Sequence, residues 1–327
     1  MKPFAYVNPT DEKEAVAALS AQFEQALPIG GGQDLLARMK DYVTQPDRIV
    51  NVKGALESTV TASNGGLRIG AALKIADLAQ NAEVARMYPA ISEAAIQVGT
   101  PQIRNQGTVG GNLNQRPRCW YFRNEEFVCF KKGGNTCFSV VGENQFHAIF
   151  GGGPSFIVHP SSLAVPMVAY GATFRIAGPK GERLVPAADY FTLPSVNVRV
   201  ENVLAPNELL THATLPAPGN VKSGHYEVRY KASHDWPIAF ATVLLTMNGQ
   251  TVQSARVVMG AVAPIPWRSH AAEQALAGKS ISEDTAAAAA EAALQGAIPL
   301  SENAYKIAVA KTAVKRAILR AGGIQTV

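Results

Sequence analysis

Residues 98–137 read VGTPQIRNQGTVGGNLNQRPRCWYFRNEEFVCFKKGGNTC, a glycine-punctuated turn joined to a segment holding all three cysteines of the chain. Gly107, Gly110 and Gly111 are expected to adopt positive φ and to bring backbone close to a bulky ligand, with no Cβ intervening. Asn105, Thr108 and Asn112 add side-chain hydrogen-bonding groups. Cys119, Cys129 and Cys137 follow among Arg116, Arg118, Arg123, Lys131 and Lys132, a basic setting expected to favour thiolate and metal ligation. A ligand-gripping turn beside clustered thiols points to electron-transfer chemistry.

Toward the N-terminus, Thr10 and the acidic Asp11, Glu12 and Glu14 predict a helix start. Val16, Leu19 and Phe23 share a face of that helix, which is expected to end near Ala26. Leu27-Pro28-Ile29 then reads as a strand running into Gly30-Gly31-Gly32-Gln33-Asp34-Leu35, after which helical spacing resumes. A strand, a glycine turn and a helix start point backbone N–H groups at an anion. The dinucleotide fingerprint of doubly wound folds is excluded, because Leu35 stands where its third glycine belongs and serial βαβ units are missing. Gly278-Lys279-Ser280 is not a phosphate loop either, since Glu273 occupies the leading glycine position. Residues 46–73 read as short strands around the turn Asn64-Gly65-Gly66, and Ile75–Gln80 and Pro89–Val98 as short helices. The class is α+β.

Toward the C-terminus, Gly178-Pro179-Lys180-Gly181 signals a hairpin and Val196–Val200 has strand character. Proline and glycine cluster at residues 216–220, which places a boundary between a first domain, 1–218, and a second, 219–327. An insert at about 115–155 carries the cysteines. In the second domain, Tyr226–Ala232, Ala239–Met247 and Thr251–Met259 read as three strands, the last two joined by an Asn248-Gly249 hairpin. Helices are expected at Ser269–Leu276, Ser282–Leu294 and Asn303–Leu319, packed on one face of that three-stranded sheet.

With 327 residues, 47% hydrophobic and 17% charged, the chain is expected to be globular. The net charge of +5 is spread in singlets and doublets such as Lys131-Lys132, which argues against nucleic acid. No apolar run reaches the length of a membrane span, and the acidic start lacks a signal peptide's apolar core. Cytoplasmic residence, or export to the periplasm attached to a signal-bearing partner, is the expectation. An odd cysteine number confined to one segment points away from a disulfide framework.

Four stretches, PIGGGQDLL (28–36), VGTPQIRNQGTVGGNLNQRPRCWYF (98–122), FIVHPSSLAVPMVAYGA (156–172) and GAVAPIPWR (260–268), together resemble the FAD-binding medium subunit of the molybdenum hydroxylases. That is the xanthine dehydrogenase and carbon monoxide dehydrogenase family, and flavin subunits of aldehyde oxidoreductases with a cysteine-bearing 4Fe-4S insert are especially similar. The resemblance implies a p-cresol-methylhydroxylase-type FAD-binding domain of two α+β subdomains, followed by the small C-terminal domain. By it, the stretch Leu27, Pro28, Ile29, Gly30, Gly31, Gly32, Gln33, Asp34 and Leu35 would hold the FAD pyrophosphate. Thr100, Arg104, Thr108, Gly110, Gly111 and Asn112 would line the second side of FAD, with His159 and Ser161 in the flavin site and Lys231 as a positive group nearby. Ser162 stands where the family commonly has Asp; its hydroxyl still donates and accepts.

Spacings of nine and seven residues between the cysteines differ from compact zinc or ferredoxin patterns. The resemblance implies a 4Fe-4S cluster on Cys119, Cys129 and Cys137, and the fourth ligand is not a cysteine. Ser155 in GGGPSF is the expected fourth ligand, with His147 lying between it and Cys137; a 3Fe-4S cluster or no cluster are the other outcomes. The implied role is electron transfer within a heterotrimer. A molybdenum-cofactor large subunit and a 2Fe-2S small subunit would feed the FAD, which passes electrons to an external acceptor. A stand-alone FAD-dependent oxidase of a small alcohol or sugar, and a non-enzymatic metal-stabilised assembly module, are the alternatives.

Overall fold

The computed structural model describes residues 1–231 and 234–325. Its N-terminal part opens with a small parallel sheet in which Arg48–Asn51 lies between Ala5–Val7 and Ala26–Ile29. The first helix, Glu12–Ala18, is capped by Asp11 rather than Thr10, whose amide and hydroxyl both donate to Glu14 at 2.8 Å. It stops at Ala18, well short of Ala26, because Leu19 is extended and Glu24 takes a positive φ of 58°. Phe23 therefore leaves the expected helix face and lies under the Arg116 and Arg199 guanidinium groups, at 5.9 and 5.2 Å.

A five-stranded antiparallel sheet follows, in the order Val60–Ser63, Gly66–Gly70, Leu209–Leu215, Thr173–Gly178, Gly181–Pro186. Its first hairpin closes at Ser63 and Gly66 through Asn64 and Gly65, both at positive φ as a type I′ turn requires. Leu209–Leu215, not distinguished as a strand in the sequence, is the centre of this sheet, while residues 196–200 form no strand. The inner face packs on Ala90, Ile91, Ala94 and Ala95 of the helix Pro89–Gln97 and on the helix Ala164–Ala169, forming the larger core.

The C-terminal part is an antiparallel sheet ordered Trp267–Arg268, Thr251–Gly260, Ala239–Asn248, Val221–Val228. The three expected strands are thus joined by a two-residue edge strand. The first of them lies earlier than expected, ending at Val228, and Ala232 falls outside the described residues. Pairing of Asn248 with Thr251 makes Gly249-Gln250 the turn, with only Gly249 at positive φ. Helices His270–Leu276, Glu283–Ala293 and Tyr305–Ala321 cover one face. Ala310, Val314 and Ile318 form the buried stripe of the last helix, and Lys311 and Lys315 pair with Glu291 and Glu283.

Candidate functional site

A cavity of about 950 Å³ opens between the glycine turn after Ala26–Ile29 and the glycine-rich loop before the helix Val109–Leu113. That volume suits a cofactor-sized ligand. Leu27, Pro28, Ile29, Gly30, Gly31, Gly32, Gln33, Asp34 and Leu35 all line it, as do Thr100, Thr108, Gly110, Gly111, Asn112 and Ser162. The two loops touch back to back: a Cβ on Gly31 would lie 2.0 Å from the Gln106 carbonyl oxygen, and one on Gly30 2.5 Å from the Thr108 hydroxyl. The glycines at 30 and 31 are thus required by loop-to-loop packing as well as by the cavity.

The second loop departs from expectation. Gly107 has φ −65°, and Gly110 and Gly111 lie in the helix Val109–Leu113, so none of the three takes positive φ. Gly110 is required by space, a Cβ there falling 2.9 Å from that of Ala71. The amides of Val109, Gly110, Gly111 and Asn112 are already bonded to Leu73 O, Ala71 O, Thr108 Oγ1 and Thr108 O. In the first turn the opposite holds: among the described residues, the amides of Gly31, Gly32, Gln33 and Asp34 have no acceptor. Four successive residues of the cavity wall thus carry amides without a partner among the described residues, an arrangement that suits an anion.

Four predicted residues do not reach the wall. Arg104 turns back on its own loop and donates to Val98 O at 3.0 Å and Gly99 O at 3.4 Å. Ser161 lies one layer behind, donating to Asn112 Oδ1 at 2.6 Å and so fixing that wall residue. His159 is buried, its Nδ1 accepting from the Ser161 amide at 3.3 Å and its ring edge-on to Phe191. Burial pushes its pKa down to about 4, so the imidazole is neutral. Lys231 is exposed and its amide donates to Asp235 at 3.3 Å.

Sequence reasoning missed the charged end of the cavity. Asp34 receives Arg123 at 2.5 Å, Arg118 at 3.2 Å, Arg38 at 3.2 Å and the Arg116 amide at 3.2 Å. Burial alone would raise the Asp34 pKa, but Arg38, Arg123 and Arg118 outweigh it and hold the carboxyl below its ordinary range. Arg116 spans Glu24 at 2.9 Å and Glu201 at 2.7 Å, and Lys131 reaches Glu201 at 2.6 Å. Burial works against the Glu201 carboxylate too, yet Arg116 and Lys131 keep it ionised. Five cations thus face three carboxylates, a surplus of two positive charges. The RPRCWYFR run carries that signal, but its arginines pair with Asp34, Glu24 and Glu201 and not with the thiols.

Each cysteine directly precedes a short helical turn, at Trp120–Arg123, Phe130–Lys132 and Phe138–Val140. All three, with Ser139 and Ser155, line one small hollow walled by Phe122, Phe130, Phe138 and Ile157. His147 Nε2 lies 3.2 Å from Cys119 Sγ, and Cys137 Sγ 3.1 Å from the Ser139 hydroxyl. The expected thiolate-favouring field is not found at Cys119, whose thiol is pushed up to about 11 by burial. The basic neighbours are spent elsewhere: the arginines and Lys131 on carboxylates, and Lys132 on the carbonyls of Tyr121 and Asn124. Among the described residues, no group of three or more His, Cys, Asp or Glu side chains is arranged to hold a metal ion. The donors around the hollow are three thiols and the hydroxyls of Ser139 and Ser155, a set whose softness suits iron–sulfur chemistry at three positions and fits less well at the fourth.

An α+β frame enclosing a cofactor-sized cavity, floored by a glycine turn with free amides, defines a nucleotide-cofactor protein. Residues 2–218 match the FAD binding domain in molybdopterin dehydrogenase, and residues 224–321 the CO dehydrogenase flavoprotein C-terminal domain. The chain belongs to this family of FAD-binding medium subunits, and is an oxidoreductase subunit. It is 37% identical to the aldehyde oxidoreductase FAD-binding subunit PaoB of Escherichia coli, over 95% of this chain and 96% of that one. It is similar to the quinoline 2-oxidoreductase structure of Pseudomonas putida 86, with TM-score 0.77, 25% identity and 98% of both chains covered. The carbon monoxide dehydrogenase structure of Hydrogenophaga pseudoflava gives TM-score 0.76, 28% identity and the same coverage. Among the described residues, no helix is long and apolar enough to cross a membrane.

Proposed function

We propose that the cavity holds FAD with its diphosphate on the Gly30–Asp34 turn, and that the chain is the electron-transfer subunit of a molybdenum-dependent aldehyde oxidoreductase. The observation that carries this is the row of unpaired amides at Gly31, Gly32, Gln33 and Asp34 on the wall of a 950 Å³ cavity. These successive N–H donors bind the diphosphate and offset its roughly two negative charges. Across the cavity Thr108 and Asn112 bound the ligand, with Ser161 locking Asn112 in place. Ser162 supplies a hydroxyl on the same wall. The bound flavin supplies the redox chemistry, and the protein contributes placement and exclusion of water.

The reading extends to a heterotrimer, in which a molybdenum-cofactor large subunit and a 2Fe-2S small subunit deliver electrons and an external acceptor removes them. The 37% identity to an aldehyde oxidoreductase FAD-binding subunit supports the aldehyde assignment. The division into 1–218 and 219–327 belongs to the same proposal. Cys119, Cys129 and Cys137 would hold a 4Fe-4S cluster with Ser155, all four lining one hollow. An oxygen ligand is harder than thiolate and makes such a cluster labile.

The test is a visible spectrum of the anaerobically purified full chain, with flavin and iron quantified per chain. About one FAD per chain is expected. Purified chain that takes up no FAD overturns the proposal, and FAD without iron removes only the cluster.

A further inference from the structure

We propose that the thiol-bearing segment is a positioning element for the flavin turn, so that the state of the three thiols and the affinity for FAD are coupled. The inference rests on the FAD reading above. Its path is continuous. Asp34 ends the Gly30–Asp34 turn and is gripped by Arg118 and Arg123, the first directly preceding Cys119 and the second ending the helix for which Cys119 is the cap. A displacement of Cys119 therefore moves two of the three guanidinium groups that hold Asp34, Arg38 being the third. From there Arg123 donates to Pro117 O at 2.7 Å and to Arg116 O at 2.9 Å. Arg116 reaches Glu201, and Glu201 reaches Lys131, two residues after Cys129.

Structural ion pairs could do no more than hold the fold, but one feature points further. Every carboxylate in the relay, Glu24, Asp34 and Glu201, lines the flavin cavity, as do Arg38, Arg116 and Arg118. Coupling of this kind is reciprocal, so bound FAD should also order the thiol segment.

A double-mutant cycle on the full chain tests this, with FAD affinity read by flavin-fluorescence titration. Arg123→Gln cuts the relay at the turn, and Cys129→Ser perturbs its far end without touching the cavity. Each is expected to weaken FAD binding by about 5- to 150-fold, and the double variant to bind no more weakly than Arg123→Gln alone. Arg123→Lys should recover part of the loss, and it replaces Arg123→Gln in the cycle if the latter does not fold. Unchanged FAD affinity in Arg123→Gln, or single effects that simply multiply, overturns the proposal. Failure of wild-type chain to bind FAD at all would instead sink the flavin reading. An iron-free wild type would sink only the cluster, leaving the cycle to decide the relay.

Discussion

Gly31→Ala places a methyl group where the two cavity loops meet. The new Cβ would lie 2.0 Å from Gln106 O, 2.5 Å from its carbonyl carbon and 2.7 Å from Gly107 Cα. Favourable carbon contacts lie near 3.5–4.0 Å, so the loops must part by roughly 1.5 Å. The obstacle is backbone on both sides, and Gly107 is itself held by a 2.7 Å bond to Ile103 O, so no side chain can swing away. Overpacking of this kind costs about 1–3 kcal/mol. Much of that should appear in cofactor binding, because the free amides sit on one loop and Thr108 and Asn112 on the other. At about 1.4 kcal/mol per tenfold, FAD affinity should fall roughly 5- to 150-fold. Gly54→Ala is the matched control, its nearest atom being Pro9 O at 3.9 Å. Fluorescence titration of both variants checks the expectation. Wild-type FAD affinity in a folded Gly31→Ala protein would refute the placement of the ligand between these loops.

Three other outcomes are expected. Glu201 has a folded-state pKa below its ordinary 4.5, despite burial, because Arg116 and Lys131 hold it ionised. It therefore contributes stability that is present above about pH 4.5 and lost as pH falls through the lower folded value. Glu201→Gln should flatten that acid limb in urea titrations and cost about 3–5 kcal/mol at neutral pH, by leaving buried Lys131 without a carboxylate and Arg116 with Glu24 alone. Burial pushes the Lys306 ammonium down to about 7 from 10.5, so the unfolded chain binds more protons between those values and stability rises with pH across them. Denaturation midpoints of Lys306→Met should lack that rise, while lying lower overall because the carbonyls of Phe146, His147 and Ala261 lose their donor. Ser155→Cys should increase iron retained per chain on dialysis against a chelator; identical iron content and spectrum would remove Ser155 as a cluster ligand.

Local chemistry made much of the frame legible. Asn64-Gly65 needs positive φ at two successive residues, Ser282 needs a cap partner three residues on, and Val314 and Ile318 repeat at helical spacing; each appears in the fold where such rules put it. What escaped was set by partners distant in sequence. Leu209–Leu215 interleaves Thr211 and His212 with its leucines, and only pairing with Gly66–Gly70 and Thr173–Gly178 makes it a central strand. The reach of the first helix was overestimated because Phe23 has the right spacing, and its stacking under Arg116 and Arg199 has no local trace. The same limit explains the site. Glycine turns are recognisable by themselves, whereas Glu201 becomes a cavity residue only when Arg116, 85 positions away, folds against it.

The arginines show how a correct composition signal can be attached to the wrong anion. Five basic residues around three cysteines suggest a field that ionises thiols, and Coulomb's law alone would support that. Burial decides otherwise. A guanidinium taken out of water must find a carboxylate at short range, and Asp34, Glu24 and Glu201 supply it at 2.5 to 2.9 Å. Once paired, those charges are largely cancelled as seen from Cys119, whose own desolvation then raises its pKa. Arg38, Arg116 and Arg118 lie on the cavity wall instead, alongside the Gly31–Asp34 amides. The charges of this segment are thus tied up in carboxylate pairs beside the cavity rather than at Cys119.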